Sequence, residues 1–190
     1  MLKEPEGRTR FLSEDERVRY LDACKKISPT LYTASMIALT TSGRKMEVLG
    51  LKRADVHIAK EEGERSFVTF WETKTGPVRS LTLIGPALEV FKKLPLRLDT
   101  LQIFPRVKNP HQSYDFLYPI EKALKIAGIE DFSWHDLRHT CASYLKMKEV
   151  DDRTIMEIMG WKSYSMLKRY THLTVEHISD AQDRLEEMFA

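Results

Sequence analysis

Several residues in this 190-residue chain are of types that could handle a phosphate ester. His135 and Arg138 stand three apart in Phe132-Ser-Trp-His-Asp-Leu-Arg-His-Thr140, so on a helix they share a face. A histidine beside an arginine can present a proton donor and a fixed charge to one phosphate. Arg44 follows Gly43 at a break in an apolar helical stretch, and a guanidinium so near a core needs a partner. Glu47, one turn along, is placed to be that partner. Tyr170 lies in Lys168-Arg169-Tyr170-Thr171-His172, whose polar neighbours are unlike those of a core tyrosine; Tyr20, Tyr144 and Tyr164 read more readily as packing. Each segment alone also fits an ordinary role, as a surface His–Arg pair at a helix start or a plain Arg–Glu helix pair.

The elements that would position these residues are mostly helical. Ser13-Glu14-Asp15-Glu16 has the form of a capping box, which predicts a helix running to about Ile27. A second, mostly buried helix is expected over Thr30–Ser42, broken by Gly43 and resumed over Arg44–Leu51. Between Asp55 and Leu83 the chain alternates: Val56–Ile58 is extended, Ser66–Glu72 is β-branched and aromatic, and Val78–Leu83 alternates again. The turn chemistry of Thr73-Lys74-Thr75-Gly76-Pro77 joins the last two, which predicts a small antiparallel three-stranded sheet with Lys74 near a hairpin turn. From Gly85 onward helices are expected from Pro86 to about Leu94, from Asn109-Pro110 as N-cap and first position to Ala127, and over His135–Met147, Asp151–Met159, Ser163–Thr171 and Val175–Met188. The fold class is therefore α+β, mainly helical with one small sheet.

Composition bounds the reading further. The chain is 42% hydrophobic and 31% charged, which fits one globular domain with a real core. No stretch approaches the apolar length of a membrane span, and the start Met1–Arg10 has no apolar core of a signal peptide. Cys24 and Cys141 form neither a metal-type spacing nor a disulfide framework, which makes a reduced, cytoplasmic setting the expectation. The net charge is only +2, but it is uneven. After Thr171 there are five acids and one base, leaving 29 bases against 23 acids in the first 171 residues. A moderately basic body with an acidic tail is compatible with phosphate contact.

Taken in order, the segments resemble the tyrosine recombinases of the phage-integrase type. The family pattern is an arginine in T-G-x-R-x-x-E, a hairpin lysine, H-x-L-R, a G-H/W element and a tyrosine in R-Y-T-H. This chain has Thr-Ser-Gly-Arg-Lys-Met-Glu at 41–47, Thr-Lys-Thr-Gly at 73–76, His-Asp-Leu-Arg at 135–138, Met-Gly-Trp at 159–161 and Arg-Tyr-Thr-His at 169–172. Trp161 and Tyr170 are nine apart, the family interval, and the likeness covers roughly residues 8 to 175. The departures are Ser42-Gly43 where Gly-x is usual, Trp161 in place of the commoner histidine, and Met147-Lys148-Glu149 where a turn glycine is frequent. None removes a reactive group.

The resemblance implies a function and a division of labour. The chain is expected to be a site-specific recombinase or integrase acting on a double-stranded DNA attachment site. Arg44 and Arg138 would hold the non-bridging phosphate oxygens, Tyr170 would attack phosphorus, and His135 would accept its proton. Lys74 would protonate the departing 5′ oxygen, Trp161 would pack against the site and offer its indole N–H, and Glu47 would orient Arg44 or His135 from behind. The product is a 3′-phosphotyrosyl link and a free 5′-hydroxyl, so no cofactor, metal or ATP is called for. The implied partners are further copies of the chain, a tetramer on DNA and a monomer in isolation, with accessory DNA-bending proteins admitted and no membrane; the setting would be the bacterial or phage nucleoid. Residues 1–174 would form the catalytic domain and 175–190 an amphipathic C-terminal helix, packed on its own domain or exchanged with a neighbour. The N-terminal core-binding domain usual in the family is absent from this chain, the mark of a fragment of a longer protein. Two other readings stay open: a type IB topoisomerase-like enzyme using the same covalent chemistry, and a catalytically silent DNA-binding module.

Overall fold

The computed structural model describes residues 10–71, 78–95, 97–106, 109–114 and 116–170. In chain order these form α1 (Glu14–Ile27), α2 (Pro29–Thr41), α3 (Lys45–Leu49), a single 3-10 turn (Arg53–Asp55), β1 (Val56–His57), β2 (Phe67–Phe70), β3 (Arg79–Thr82), α4 (Gly85–Lys92), α5 (Leu117–Ala127), α6 (Trp134–Met147), α7 (Asp152–Met159) and α8 (Tyr164–Lys168). The expected α+β architecture is what the structure has.

The local reasons are legible. The capping box at the start of α1 is closed both ways: Ser13 Oγ accepts from the Glu16 amide at 3.1 Å and Glu16 Oε2 accepts from the Ser13 amide at 2.9 Å. Ser28 caps α2, with Pro29 in the first turn. Leu31, Ala34, Ile37 and Ala38 of α2 are all fully buried, because α2 is covered by α1, α4 and α6 and shows little polar face. The sheet is antiparallel in the order β1-β2-β3, with Val56 opposite Val68 and Phe70 opposite Arg79.

One expected helix start is corrected. Asn109-Pro110 does not open a helix; α5 begins at Leu117. Residues 102–106 instead pair with 109–114, with the Arg106 amide bonded to Gln112 O at 2.8 Å and the Tyr114 amide to Phe104 O at 2.8 Å. Asn109 caps this turn, its O accepting from the Gln112 amide at 3.0 Å. The Asn-Pro pair is turn chemistry as much as helix-start chemistry, and the pairing across Pro105 and Ser113 decides between them. The expected hairpin turn with Lys74 and the expected helix over Val175–Met188 lie outside the described residues.

The core has two parts. The larger joins α1, α2, α5 and the sheet around Tyr20, Leu31, Phe104, Phe116 and Leu137. The smaller lies under α6, α7 and α8 and consists of Ala142, Ile155, Met159, Leu167 and Tyr170, with Trp161 packed against it. Burying such a side chain contributes roughly 1.5–3 kcal/mol, so the smaller cluster fixes the end of α8 firmly against α6.

Candidate active site

Two helix ends meet at the centre of the site. α2 stops where Ser42 turns left-handed (φ 55°), and Gly43 follows where a side chain has no room: a Cβ there would lie 2.5 Å from Val48 Cγ2 and 2.9 Å from Phe70 Cζ. α7 stops at Gly160 (φ 61°), whose amide bonds back to Glu157 O while the Trp161 amide reaches Met156 O at 2.9 Å. Both endings leave carbonyls without helical partners. Arg138, on α6 and only 4% exposed, donates to them: Nη1 to Ser42 O at 2.5 Å, and Nη2 to Met159 O. The negative ends of two helices thus hold a buried cation. Burial, then the Arg44 and Arg79 charges, pull Arg138 down to about 9, and it stays charged at neutral pH.

Arg44 precedes α3, and its amide and Nη1 both donate to Glu47, at 2.8 and 2.7 Å. Glu47 is the expected partner, but it has a second cation: Arg79 Nη2 lies 2.7 Å from its Oε2. Burial pushes the Glu47 carboxyl up, yet the Arg44 amide, the Arg79 charge and the Arg44 guanidinium outweigh it, and the group lies below its ordinary value.

Tyr170 is placed by the smaller core, with its ring 1% exposed and stacked on Trp161 at 5.5 Å between centroids, 23° between planes. Trp161 also carries the Arg138 guanidinium 5.8 Å from its ring centroid. The indole therefore meets both neighbours through its faces. Burial pushes the Tyr170 hydroxyl up to about 12, against the Arg138 and Arg169 charges that pull it down. Its hydroxyl is hydrogen-bonded to Nδ1 of His139.

One pocket of about 490 Å³ gathers these groups: Arg44, His135, Arg138 and Trp161 line it, with His139 and Tyr170. Five of the sequence-predicted residues are thus brought together, Glu47 stands behind Arg44, and Lys74 lies outside the described residues. Sequence reasoning missed two. His139 stands four after His135, so helical spacing alone puts the two on one face, their rings edge-on at 4.9 Å. Arg79 occupies an inward position of β3, where alternation would place an apolar residue. Tyr164, expected to pack, is instead 52% exposed, with its hydroxyl bonded to Asp152 at 2.9 Å.

Guanidiniums, imidazoles and one phenol around an open pocket make an anion site with a nucleophile beside it, and the chemistry suits an ester of phosphoric acid. Among the described residues no group of histidines, cysteines and carboxylates is placed to hold a metal ion, and no helix is long and apolar enough to cross a membrane.

Comparison with known proteins places this arrangement. Residues 10–177 match the phage integrase family, and the chain belongs to it. It is 28% identical to the integrase of Salmonella phage P22 over 193 aligned positions, covering 96% of this chain and 48% of that protein. The catalytic domain of bacteriophage HP1 integrase superposes with a TM-score of 0.69 at 27% identity, covering 91% of this chain and 93% of that one. The XerH site-specific recombinase bound to palindromic difH substrate shares the fold with a TM-score of 0.71, at 22% identity and covering 94% of this chain and 54% of that one. The chain spans about half the length of the P22 integrase and nearly all of the HP1 catalytic domain.

Proposed function

We propose that this chain is the catalytic part of a site-specific DNA recombinase, which breaks and rejoins strands through a 3′-phosphotyrosyl bond during integration or excision of a mobile element. The observation that carries the reading is the single pocket in which Arg44, His135, Arg138, Trp161 and Tyr170 converge. The phage integrase family and the XerH site-specific recombinase of the same fold, bound to its palindromic difH substrate, support duplex DNA as the substrate.

In this reading the scissile phosphate lies between Arg44 and Arg138, whose fixed charges meet the negative charge that grows as phosphorus becomes five-coordinate. Arg138 keeps donors for it, since a guanidinium has five N–H groups and two go to the Ser42 and Met159 carbonyls. Trp161 fixes the tyrosine ring by stacking, and Glu47 holds Arg44 at the pocket edge. Lys74 is assigned the proton for the departing 5′ oxygen, and His135, which lines the pocket, is assigned the proton of Tyr170. One phosphodiester replaces another, so the bond energy is kept for rejoining. A tetramer of the full-length protein on paired sites, with accessory DNA-bending proteins, is the assembly this chemistry serves, at the nucleoid of the host.

The test is covalent trapping. A pool of nicked DNA duplexes with randomised sequence around the nick is incubated with the chain, and denaturant-stable protein–DNA complexes are counted. The expected result is a complex with the wild type and none with Tyr170→Phe, although the variant still binds DNA. Trapping by Tyr170→Phe would overturn the assignment. Arg138→Lys should slow trapping by about 10²–10³, the usual cost of one lost donor to a developing oxyanion.

A further inference from the structure

Arg79 is a buried cation that stands behind the pocket and not on its wall. It comes from β3 and is 6% exposed, so it is out of reach of a phosphate. Its guanidinium is held from three directions. Nη1 donates to Met159 O at 2.7 Å, Nη2 donates to Glu47 Oε2 at 2.7 Å, and the Phe70 ring centroid lies 5.5 Å from its central carbon. Nε is buried and has no hydrogen-bond partner in the structure. Stability alone is a poor reason for such a residue, because a buried ion pair can often be replaced by apolar side chains without loss.

Both of its polar anchors are shared with an arginine of the pocket. Glu47 accepts from Arg44 Nη1 through its other oxygen at 2.7 Å, and Met159 O accepts from Arg138 Nη2. The path Arg44, Glu47, Arg79, Met159, Arg138 therefore links the two pocket arginines from behind, across β3, α3, α6 and the end of α7.

We propose that Arg79 is a positioning residue for strand cleavage, which fixes the separation of Arg44 and Arg138 and keeps their charge available to the transition state. The proposal rests on the reading of this pocket as a recombinase site. Paired with Arg44 alone, the Glu47 carboxylate would cancel much of the charge that Arg44 brings to the phosphate. Sharing it with Arg79 changes the balance: among these four groups, three guanidiniums face one carboxylate, a surplus of two positive charges. A phosphodiester carries one negative charge, and it approaches two as the phenolic oxygen adds to phosphorus. Without Arg79 the surplus falls to one, which matches the bound substrate and not the transition state. Burial lowers the hold of Arg79 on its proton and the Glu47 charge works against that; a guanidinium stays charged at neutral pH all the same.

The experiment takes the whole chain and its Arg79→Met and Arg79→Lys variants through the nicked-duplex assay. Two quantities are measured separately: the DNA concentration that half-saturates trapping, and the single-turnover rate at saturation. Methionine keeps an apolar stem against Phe70 and removes the charge. Lysine keeps the charge but lacks the fork, so it can hold one anchor and not both. Leu124→Ala, a buried position of α5, is the control for lost packing stability. The half-saturating concentration should stay at the wild-type value in both Arg79 variants. The rate at saturation should fall about 10–10²-fold in Arg79→Met, as when the groups behind metal ligands are removed, and less in Arg79→Lys. Folded Leu124→Ala should react at the wild-type rate. A wild-type rate in the Arg79 variants overturns the proposal. So does a loss that lies wholly in the half-saturating concentration, or an equal slowing in Leu124→Ala. Where Arg79→Met fails to fold, Arg79→Lys decides alone by the same readings. These outcomes leave the recombinase reading standing so long as the wild type traps DNA and Tyr170→Phe does not; failure of that pair brings down the reading itself.

Discussion

Arg79 and Arg138 reach the same carbonyl oxygen, that of Met159, from different elements. Arg79 comes from β3 with its Nη1 at 2.7 Å, and Arg138 comes from α6 with its Nη2. Two guanidiniums at such close quarters repel, and the Arg79 charge lowers the hold of Arg138 on its proton. What offsets the repulsion is the exposed end of the α7 dipole and the Glu47 carboxylate, 2.7 Å from Arg79. Through Met159 and Glu47, β3 is tied to Arg138 and Arg44 of the pocket.

Gly160 makes this approach possible. Its φ is 61°, and a Cβ there would lie 2.3 Å from Arg79 Nη1 and 2.8 Å from Arg79 Cδ. Gly63 has a similar φ of 86° but nothing within 4 Å of its would-be Cβ. Alanine at Gly63 should therefore show the backbone cost alone, about 1–2 kcal/mol. Gly160→Ala adds a clash with a buried charge and should cost clearly more. Urea unfolding of the two variants side by side checks this, and equal losses would contradict it.

Removing the carboxylate of Glu47 should leave Arg79, whose side chain is 4% exposed, without its ion-pair partner. Breaking a buried pair from one side costs about 3–5 kcal/mol. Glu47→Ala should fall in that range by chemical denaturation, and a loss below about 1 kcal/mol would show that the Met159 carbonyl suffices for Arg79. Glu157→Ala is the comparison: its pair with Arg153 is exposed on both sides and should contribute less than about 1 kcal/mol.

Much of this site was legible in the sequence, for physical reasons that differ by residue. Helical spacing places His135 and Arg138 on one face wherever the helix goes, so that pair needed no tertiary information. Gly43 announced one helix end, and the helix expected over Asp151–Met159 set the other. The role of those ends did not follow, because nothing local says that the freed carbonyls of Ser42 and Met159 converge on Arg138. Arg79 was invisible for the same reason: its partner Glu47 is 32 positions away and belongs to another element. His139 was in plain view, but a second histidine on the same face offers no sign of which one meets a tyrosine 31 positions later. Asn109-Pro110 misled because its turn chemistry serves two structures, and the strand-like pairing that selects one lies outside the pair itself.

The pocket should bind small divalent anions without DNA. Arg44, Arg138 and Arg169 line it with two histidines. Sulfate or inorganic phosphate bound only to the folded chain stabilises it by about 1.4 kcal/mol at ten times Kd, or roughly 3–6 °C in Tm for a chain of this size. Sulfate also stabilises proteins generally by exclusion from their surface, so the measured quantity is the difference between the wild type and Arg44→Gln. The variant should lose the saturable part of the shift and keep the part that rises linearly with salt.

Acid should weaken the fold earlier than the carboxylates alone would make it. His139 sits at about 4 in the folded chain, first because of burial and then because of His135, Arg138 and Arg169, against an ordinary value of 6.5. Between those values the unfolded chain binds a proton that the folded chain refuses, so stability rises with pH across that window and falls as pH drops through it. The contribution is fully present above about pH 6.5 and is lost by about pH 4; a shift of this size corresponds to at most about 3 kcal/mol, with less for whatever solvent the ring retains. His135 is displaced in the same direction, by burial and by the Arg138 charge, and adds to the slope. The depressed carboxyl of Glu47 acts only further into acid, below the ordinary carboxylate range. The interval from pH 6.5 to 5 thus belongs to the two histidines. Thermal melts across it should show Tm falling in the wild type, falling less in His139→Asn, and least when His135→Asn is added. If His139→Asn melts with the full wild-type slope, the ring is not held neutral in the folded chain.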